Sequence, residues 1–271
     1  MRSFIAALRF LTILPLPGTY GSQERDLPGS VWFFPVVGLL LAAVAGAFAL
    51  IVQEHVLPRW PGAVATAIVL LALSGGLHLD GLSDTADGFL SSRRRERVLE
   101  IMKDSHVGAM GVLAIVCTLL LKTASMAEFA WDQLWPRVVL MVLAGRCMMM
   151  LQILLLPYAR GEGGLGAAFF VPRSWRVRLT GVIYAIGVLA AAAWFLQRLA
   201  GLVVVAIVVV VTLLFAALCR RKIGGGTGDT VGATCELAET FTALGFTIQQ
   251  VAVLVEPDYI SSLLRLGRGA P

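Results

Sequence analysis

The sequence predicts an all-α, polytopic integral membrane bundle of about seven transmembrane helices, preceded by an N-terminal interfacial helix. Composition is the first reason: 58% of the 271 residues are hydrophobic and 14% charged, against roughly 25% charged in soluble domains. Mean hydropathy is +0.84. The second is that the apolar residues collect into uncharged runs of spanning length, with no period-2 alternation, so the spans are helices and not barrel strands. The third is a strong sidedness of Lys and Arg. These features exclude an ordinary soluble enzyme and a disordered chain. The four cysteines (Cys117, Cys147, Cys219, Cys235) are far apart and form no C-x-x-C pattern, so neither a disulfide framework nor a zinc site is expected.

The opening MRSFIAALRFLTILPLPG is too short to span, because a crossing needs about 20 apolar residues. Phe4, Ile5, Leu8 and Leu11 fall on one helical face, Arg2 and Arg9 lie nearby, and Pro15 and Pro17 end the run. This reads as an interfacial helix, with a buried first helix as the alternative. It has no A-x-A-like cleavage site and is not read as a signal peptide. Spans follow at about 32–52, 60–79, 107–127 (interrupted by Lys122), 138–157 (containing Arg146), 179–196, 201–219 and 231–255. Lys122 is expected to snorkel toward the far side. If seven helices alternate, fifteen Lys/Arg fall on one side, five on the other, and Lys122 and Arg146 lie within spans. The richer side is then cytoplasmic. No repeat or linker divides the chain, so residues 1–271 form one membrane-embedded catalytic domain.

The unusual polar clusters all sit on the basic side. In Gly75-Gly76-Leu77-His78-Leu79-Asp80-Gly81-Leu82-Ser83-Asp84-Thr85-Ala86-Asp87-Gly88, Asp80, Asp84 and Asp87 are spaced i, i+4, i+7. That spacing puts three carboxylates on one helix face. Their repulsion calls for a cation, and Mg²⁺ takes such oxygen ligands while sharing itself with substrate phosphates. The flanking glycines would let a partner helix or a phosphate come close. Lys103-Asp104-Ser105 offers a cation, a fourth carboxylate and a hydroxyl where the chain re-enters the membrane. Arg146 lies deep in a span at a cost of about 2.5–3.5 kcal/mol, so it needs a carboxylate or phosphate partner. Arg160 lies in a glycine-containing loop. The string Gly224-Gly225-Gly226-Thr227-Gly228-Asp229 opens into a helix, a suitable anion site that lacks the P-loop ending. Glu236 and Glu239 enter an apolar helix and could meet Arg146 or the metal.

An acidic set beside a basic, glycine-rich set suggests phosphoryl or nucleotidyl transfer on a membrane-associated substrate. An ion-coupled transporter is the rival class, but its polar groups would gather near the midplane in a twofold-repeated chain, and here they gather on one side. The segment Asp84-Thr85-Ala86-Asp87-Gly88 also has the D-x-x-D-G start of the CDP-alcohol phosphotransferases, although the continuation departs from that family.

The strings GGLHLDGLSDTADG, EIMKDSHVGAMG, GR in the fourth span, PYARGEG and GGGTGDTVGATCELAE resemble, in order, the motifs of the cobalamin synthase (adenosylcobinamide-GDP ribazoletransferase) family. FIAALRFLTILPLP and WFFPVVG resemble its N-terminus, so the likeness covers nearly the whole chain. It implies that a ribose hydroxyl of α-ribazole, or of its 5′-phosphate, attacks the pyrophosphate of adenosylcobinamide-GDP. The lower-ligand phosphodiester forms and GMP leaves, with Mg²⁺ required. It implies Asp80, Asp84, Asp87 and Asp104 as metal ligands, with Asp87 or Asp104 as general base. Lys103, Arg146 and Arg160 would hold phosphates. Gly226, Thr227, Gly228 and Asp229, with Glu236 and Glu239, would bind substrate. The resemblance places the chain in a bacterial cytoplasmic (inner) membrane, with other corrinoid-pathway enzymes as possible partners and no role for nucleic acid.

Overall fold

The computed structural model describes residues 1–161 and 165–254, whose regular elements are all helical. In order they are α1 (Arg2–Leu11), one-turn α2 (Leu27–Ser30), α3 (Phe34–Ile51), α4 (Arg59–Ser74), α5 (Leu77–Phe89), α6 (Arg95–Ile101), α7 (Ala109–Glu128), α8 (Leu134–Leu155), α9 (Trp175–Ile223) and α10 (Gly228–Leu254). Four stretches are long and apolar enough to cross a membrane, namely Glu24–Ile51, α7, Trp131–Leu155 and α9. The pair α4 and α5 makes a fifth if it is taken as one broken span. The seven predicted apolar runs lie mainly on helix, the second across the break between α4 and α5, with Val255 of the last outside the described residues.

Two breaks set the topology. Gly75 and Gly76 both adopt left-handed backbone angles (φ 63° and 79°), which cost a residue without Cβ nothing. They turn α5 by 90° from α4. The predicted second span, 60–79, is therefore corrected: α4 ends at Ser74, and Asp80 lies inside a separate helix. The second break is at Arg198 (φ 51°, ψ −135°) within α9. A Cβ on Gly201 would lie 2.5 Å from the Ala193 carbonyl oxygen, so the chain doubles back there. The two arms of α9 are the fifth and sixth predicted runs.

Helix α8 is the axis of the bundle. Its spanning window is 89% buried, and α3, α9 and α10 pack around it. Met148, Met149 and Met150 all lie in this core, where their unbranched chains fill irregular gaps. By contrast α7 is 22% buried and exposes Val112, Leu113, Val116 and Leu120, as a lipid-facing helix would. The N-terminal α1 docks on the bundle through Phe4 against Phe33 and Phe10 against Phe34 and Phe169. Arg9 ties it down by donating to the carbonyls of Leu16, Gly18 and Tyr20.

The sidedness read from charge reappears as contact. At one end Arg95 donates to the Ala159 carbonyl, Arg160 to Met102, Arg173 to Pro28 and Lys222 to Phe89. The loops following α5, α8 and α9 thus converge on this basic end. At the opposite end Gln197 donates to Gln133 and Gln249 to the Ala200 carbonyl, and Arg59 lies over Trp131.

Candidate active site

Helix α5 carries Asp80, Asp84 and Asp87 on one face, as their spacing requires, and lies against α10 and α7. The approach to α10 is close. A Cβ on Gly81 would sit 2.7 Å from the Asp229 carbonyl oxygen, and one on Gly232 would sit 3.2 Å from that of His78. Asp229, in the first turn of α10, is thereby brought to the acidic face. Asp84 has Asp80, Asp229 and Asp87 as like-charged neighbours, with Arg160 as the opposing cation. Arg160 donates to Asp229 Oδ2 at 2.7 Å and to the Met102 carbonyl at 3.1 Å. Its Nε is buried with no partner among the described residues.

The four carboxylates have different duties. Asp87 accepts the Gly108 and Gly111 N–H groups, both at 2.8 Å, and so fastens the start of α7 to α5. Asp229 accepts from Arg160 and Thr227. Asp80 and Asp84 accept no hydrogen bond among the described residues. Asp104 stands apart on the exposed turn after α6. Its carboxylate accepts from the His106 backbone and meets the His106 ring at 2.6 Å. That contact holds Asp104 below the usual carboxylate range and raises His106. Lys103 lies on the same exposed turn.

The glycine string is used for close packing. Gly226 donates to the Pro157 carbonyl and accepts from the Ala159 N–H, both at 2.9 Å. Thr227 and Thr230 exchange hydrogen bonds, so the N–H groups of Gly226 and Thr227 are already committed. This lattice seats the Tyr158–Arg160 segment beside Asp229. Gly163 and Gly164, in the loop predicted to touch phosphate, lie outside the described residues.

Deeper in the bundle is a second polar group. Lys122 Nζ lies 2.7 Å from carboxylate oxygens of both Glu236 and Glu239, and Arg146 also pairs with Glu239. All four side chains are buried. His78 joins them around a cavity of about 10 Å³, barely room for one water. Lys122 therefore does not snorkel, because two glutamates on α10 satisfy it inside the bundle. The expectation that polar groups gather only at the basic side is also corrected. Arg146 finds its partner in Glu239, and Glu236 in Lys122.

The cobalamin-5-phosphate synthase family model matches residues 3–247. The chain belongs to this family. Among curated relatives, an adenosylcobinamide-GDP ribazoletransferase of Desulforamulus reducens is 38% identical over 92% of this chain and 97% of its own. One of Roseiflexus sp. is 42% identical over 89% and 88%, and one of Klebsiella pneumoniae is 40% identical over 88% and 96%. No solved structure matches.

Within this cobalamin-5-phosphate synthase framework the structure brings together Asp80, Asp84, Asp87, Asp229 and Arg160. It leaves Lys103 and Asp104 on the surface, and Arg146, Glu236 and Glu239 in the buried group. Among the described residues no three His, Cys, Asp or Glu are close enough to hold a metal ion. The donors nonetheless have the chemistry of a Mg²⁺ site: they are hard carboxylate oxygens, crowded at Asp84 into repulsion that a cation would relieve. Sequence reasoning missed the pairing of Lys122, whose signal was two cations and two carboxylates within spans. It also missed Arg173, Arg178 and Arg220, counted only as anchors.

Proposed function

We infer that this chain catalyses the reaction for which its relatives are named, joining adenosylcobinamide-GDP to α-ribazole or its 5′-phosphate in cobalamin assembly. The observation that carries this reading is the family match over residues 3–247, which contains every residue of the acidic face. The chain is thus a membrane-bound transferase. Its basic end faces the cytoplasm of the bacterial inner membrane, following the fifteen-to-five charge bias.

In this reaction a ribazole hydroxyl oxygen forms the new bond to the corrinoid-side phosphorus, and the bond to the GMP oxygen breaks. Asp84 carries no hydrogen bond among the described residues and is half-buried, so it can receive the hydroxyl proton. Arg160 is fixed by Asp229 and Met102 and has N–H capacity left for a phosphate oxygen. Mg²⁺ bound beside Asp80 and Asp229 would supply neutralisation of phosphate charge, leaving Asp84 to take the proton. Asp87 orients α5 against α7. Lys103 meets incoming phosphates at the mouth.

The test is turnover by purified protein in lipid, with adenosylcobinamide-GDP, α-ribazole and Mg²⁺, following GMP and complete corrinoid. Wild type is expected to make product only with Mg²⁺, and Asp84→Asn to lose at least about a hundredfold of the rate, as loss of a general base does. Absence of product from folded wild type refutes the reaction. Full rate from Asp84→Asn refutes the assignment of Asp84.

A further inference from the structure

A cavity of about 570 Å³ at the basic end opens between the end of α8, residues 157–161 and 170–173, and the two arms of α9. Four arginines line it: Arg160, Arg173, Arg178 and Arg220. No Asp or Glu among the described residues does. Arg173, Arg178 and Arg220 form no ion pair among those residues. Arg173 spends its guanidinium on the carbonyls of Phe169, Val171 and Pro28, which fixes its position without neutralising its charge. Arg178 donates to the Arg173 carbonyl.

Positive anchors of a membrane protein ordinarily splay into water and lipid headgroups. Here four converge on one concavity, and Arg160 and Arg173 are only partly exposed. Burial lowers the pKa of Arg173, the direction expected of a cation lacking its counter-charge. Planar guanidinium forks suit phosphate oxygens. The wall also presents the rings of Tyr158 and Phe170, 5.6 Å apart, against which a flat base can pack. The volume lies within the range of small-ligand sites.

We propose that this cavity seats the nucleoside-diphosphate end of the donor substrate, its phosphates on the arginines and its base against Tyr158 and Phe170. The assignment rests on the reaction read above. Arg160 makes it spatially coherent, because this residue lines the cavity and its guanidinium grips Asp229. A pyrophosphate lying along the arginines would therefore end beside Asp84, with GMP leaving on the cavity side.

The experiment measures GDP binding by calorimetry, with protein in nanodiscs of phosphatidylcholine alone, and separately the KM for each substrate. Arg178→Gln and Arg220→Gln alter exposed side chains, and Arg176→Gln serves as the charge control outside the cavity. Wild type is expected to bind GDP, and each cavity variant to bind it about tenfold more weakly, as for one lost charged contact of about 1.4 kcal/mol. The KM for adenosylcobinamide-GDP should rise by the same factor, while that for α-ribazole stays unchanged. Arg176→Gln should match wild type. GDP affinity indifferent to both cavity substitutions overturns the proposal, whatever the turnover. Arginine-dependent GDP binding by a protein without transferase activity would sink the reaction and support the cavity. If phosphatidylglycerol nanodiscs abolish GDP binding by wild type, the cavity is a lipid-headgroup site and the proposal falls.

Discussion

Replacing Lys122 by methionine separates two accounts of an intramembrane charge. Lys122 makes two contacts of 2.7 Å, to Glu236 and Glu239, with side chains 4%, 7% and 4% exposed. Together with Arg146 the group holds two positive and two negative charges. Lys122→Met leaves two glutamates sharing one arginine, an uncompensated buried charge. Removing one partner from a buried pair costs about 3–5 kcal/mol. At about 2–4 °C per kcal/mol for a chain of this size, the unfolding midpoint should fall by roughly 6–20 °C. The assay is thermal unfolding in nanodiscs, followed by tryptophan fluorescence. Adding Glu236→Gln to Lys122→Met restores neutrality, with Arg146 facing Glu239, and should recover most of the loss. A snorkelling lysine would cost almost nothing to replace. A single variant within about 2 °C of wild type, or a double variant no more stable than the single one, refutes the compensated-cluster argument.

Three further outcomes follow from the site. Gly81→Ala places a Cβ 2.7 Å from the Asp229 carbonyl oxygen, which pushes α5 from α10. Overpacking of this kind costs about 1–3 kcal/mol, and a displacement near 1 Å can reduce turnover about a hundredfold, so kcat should drop more steeply than the midpoint. Asp87→Ala removes the acceptor of two N–H groups at the start of α7 and should cost about 0.5–2 kcal/mol, read as a lower midpoint. Asp87→Asn keeps one acceptor and should lose less. At the exposed Asp104–His106 contact, the raised His106 favours the fold below its ordinary value and loses that contribution as pH rises through the raised one. The lowered Asp104 favours the fold above the ordinary carboxylate value and loses it as pH falls. The contact is therefore strongest between the two ordinary values, about pH 4 to 6.5. NMR titration of His106 should show its pKa return toward normal in Asp104→Asn, and no return would contradict the pairing.

What the sequence made legible was local. The i, i+4, i+7 spacing of Asp80, Asp84 and Asp87 needs only helical period to become one face, and it does. Gly75-Gly76 was equally readable as permissive backbone, but the 90° turn it allows depends on α5 finding α7 and α10. Contacts between distant segments were out of reach. Lys122 and Glu239 are 117 positions apart, and residues 157–159 meet Gly226 only through the folded bundle. The glycine string was read as an anion cradle because glycine leaves N–H groups open. The same absence of side chains serves packing here: a Cβ on Gly225 would strike the Pro157 carbonyl. Arg173, Arg178 and Arg220 look like topology signals in a sequence, since convergence on one cavity is a property of three dimensions.

The two polar groups are mechanically joined through α10. Asp229 sits in its first turn at the acidic face, and Glu236, seven residues on, lies about 10 Å along the same helix, within the buried cluster. Helix α5 bridges the same two depths, with His78 lining the cluster cavity and Asp84 at the face. A buried ion group is weak evidence for net stability, because its desolvation opposes its attraction. It does, however, penalise every rotation or slide of α10 that would part Lys122 and Arg146 from their glutamates. A hydrophobic contact in a lipid-surrounded bundle imposes no comparable penalty, since the lipid chains are equally apolar. The cluster is therefore best understood as a register lock that holds Asp229 against α5. Its loss should lower turnover even where the midpoint is restored: the Lys122→Met, Glu236→Gln double variant keeps charge balance but loses two of the three contacts that fix the helix, leaving only Arg146 on Glu239.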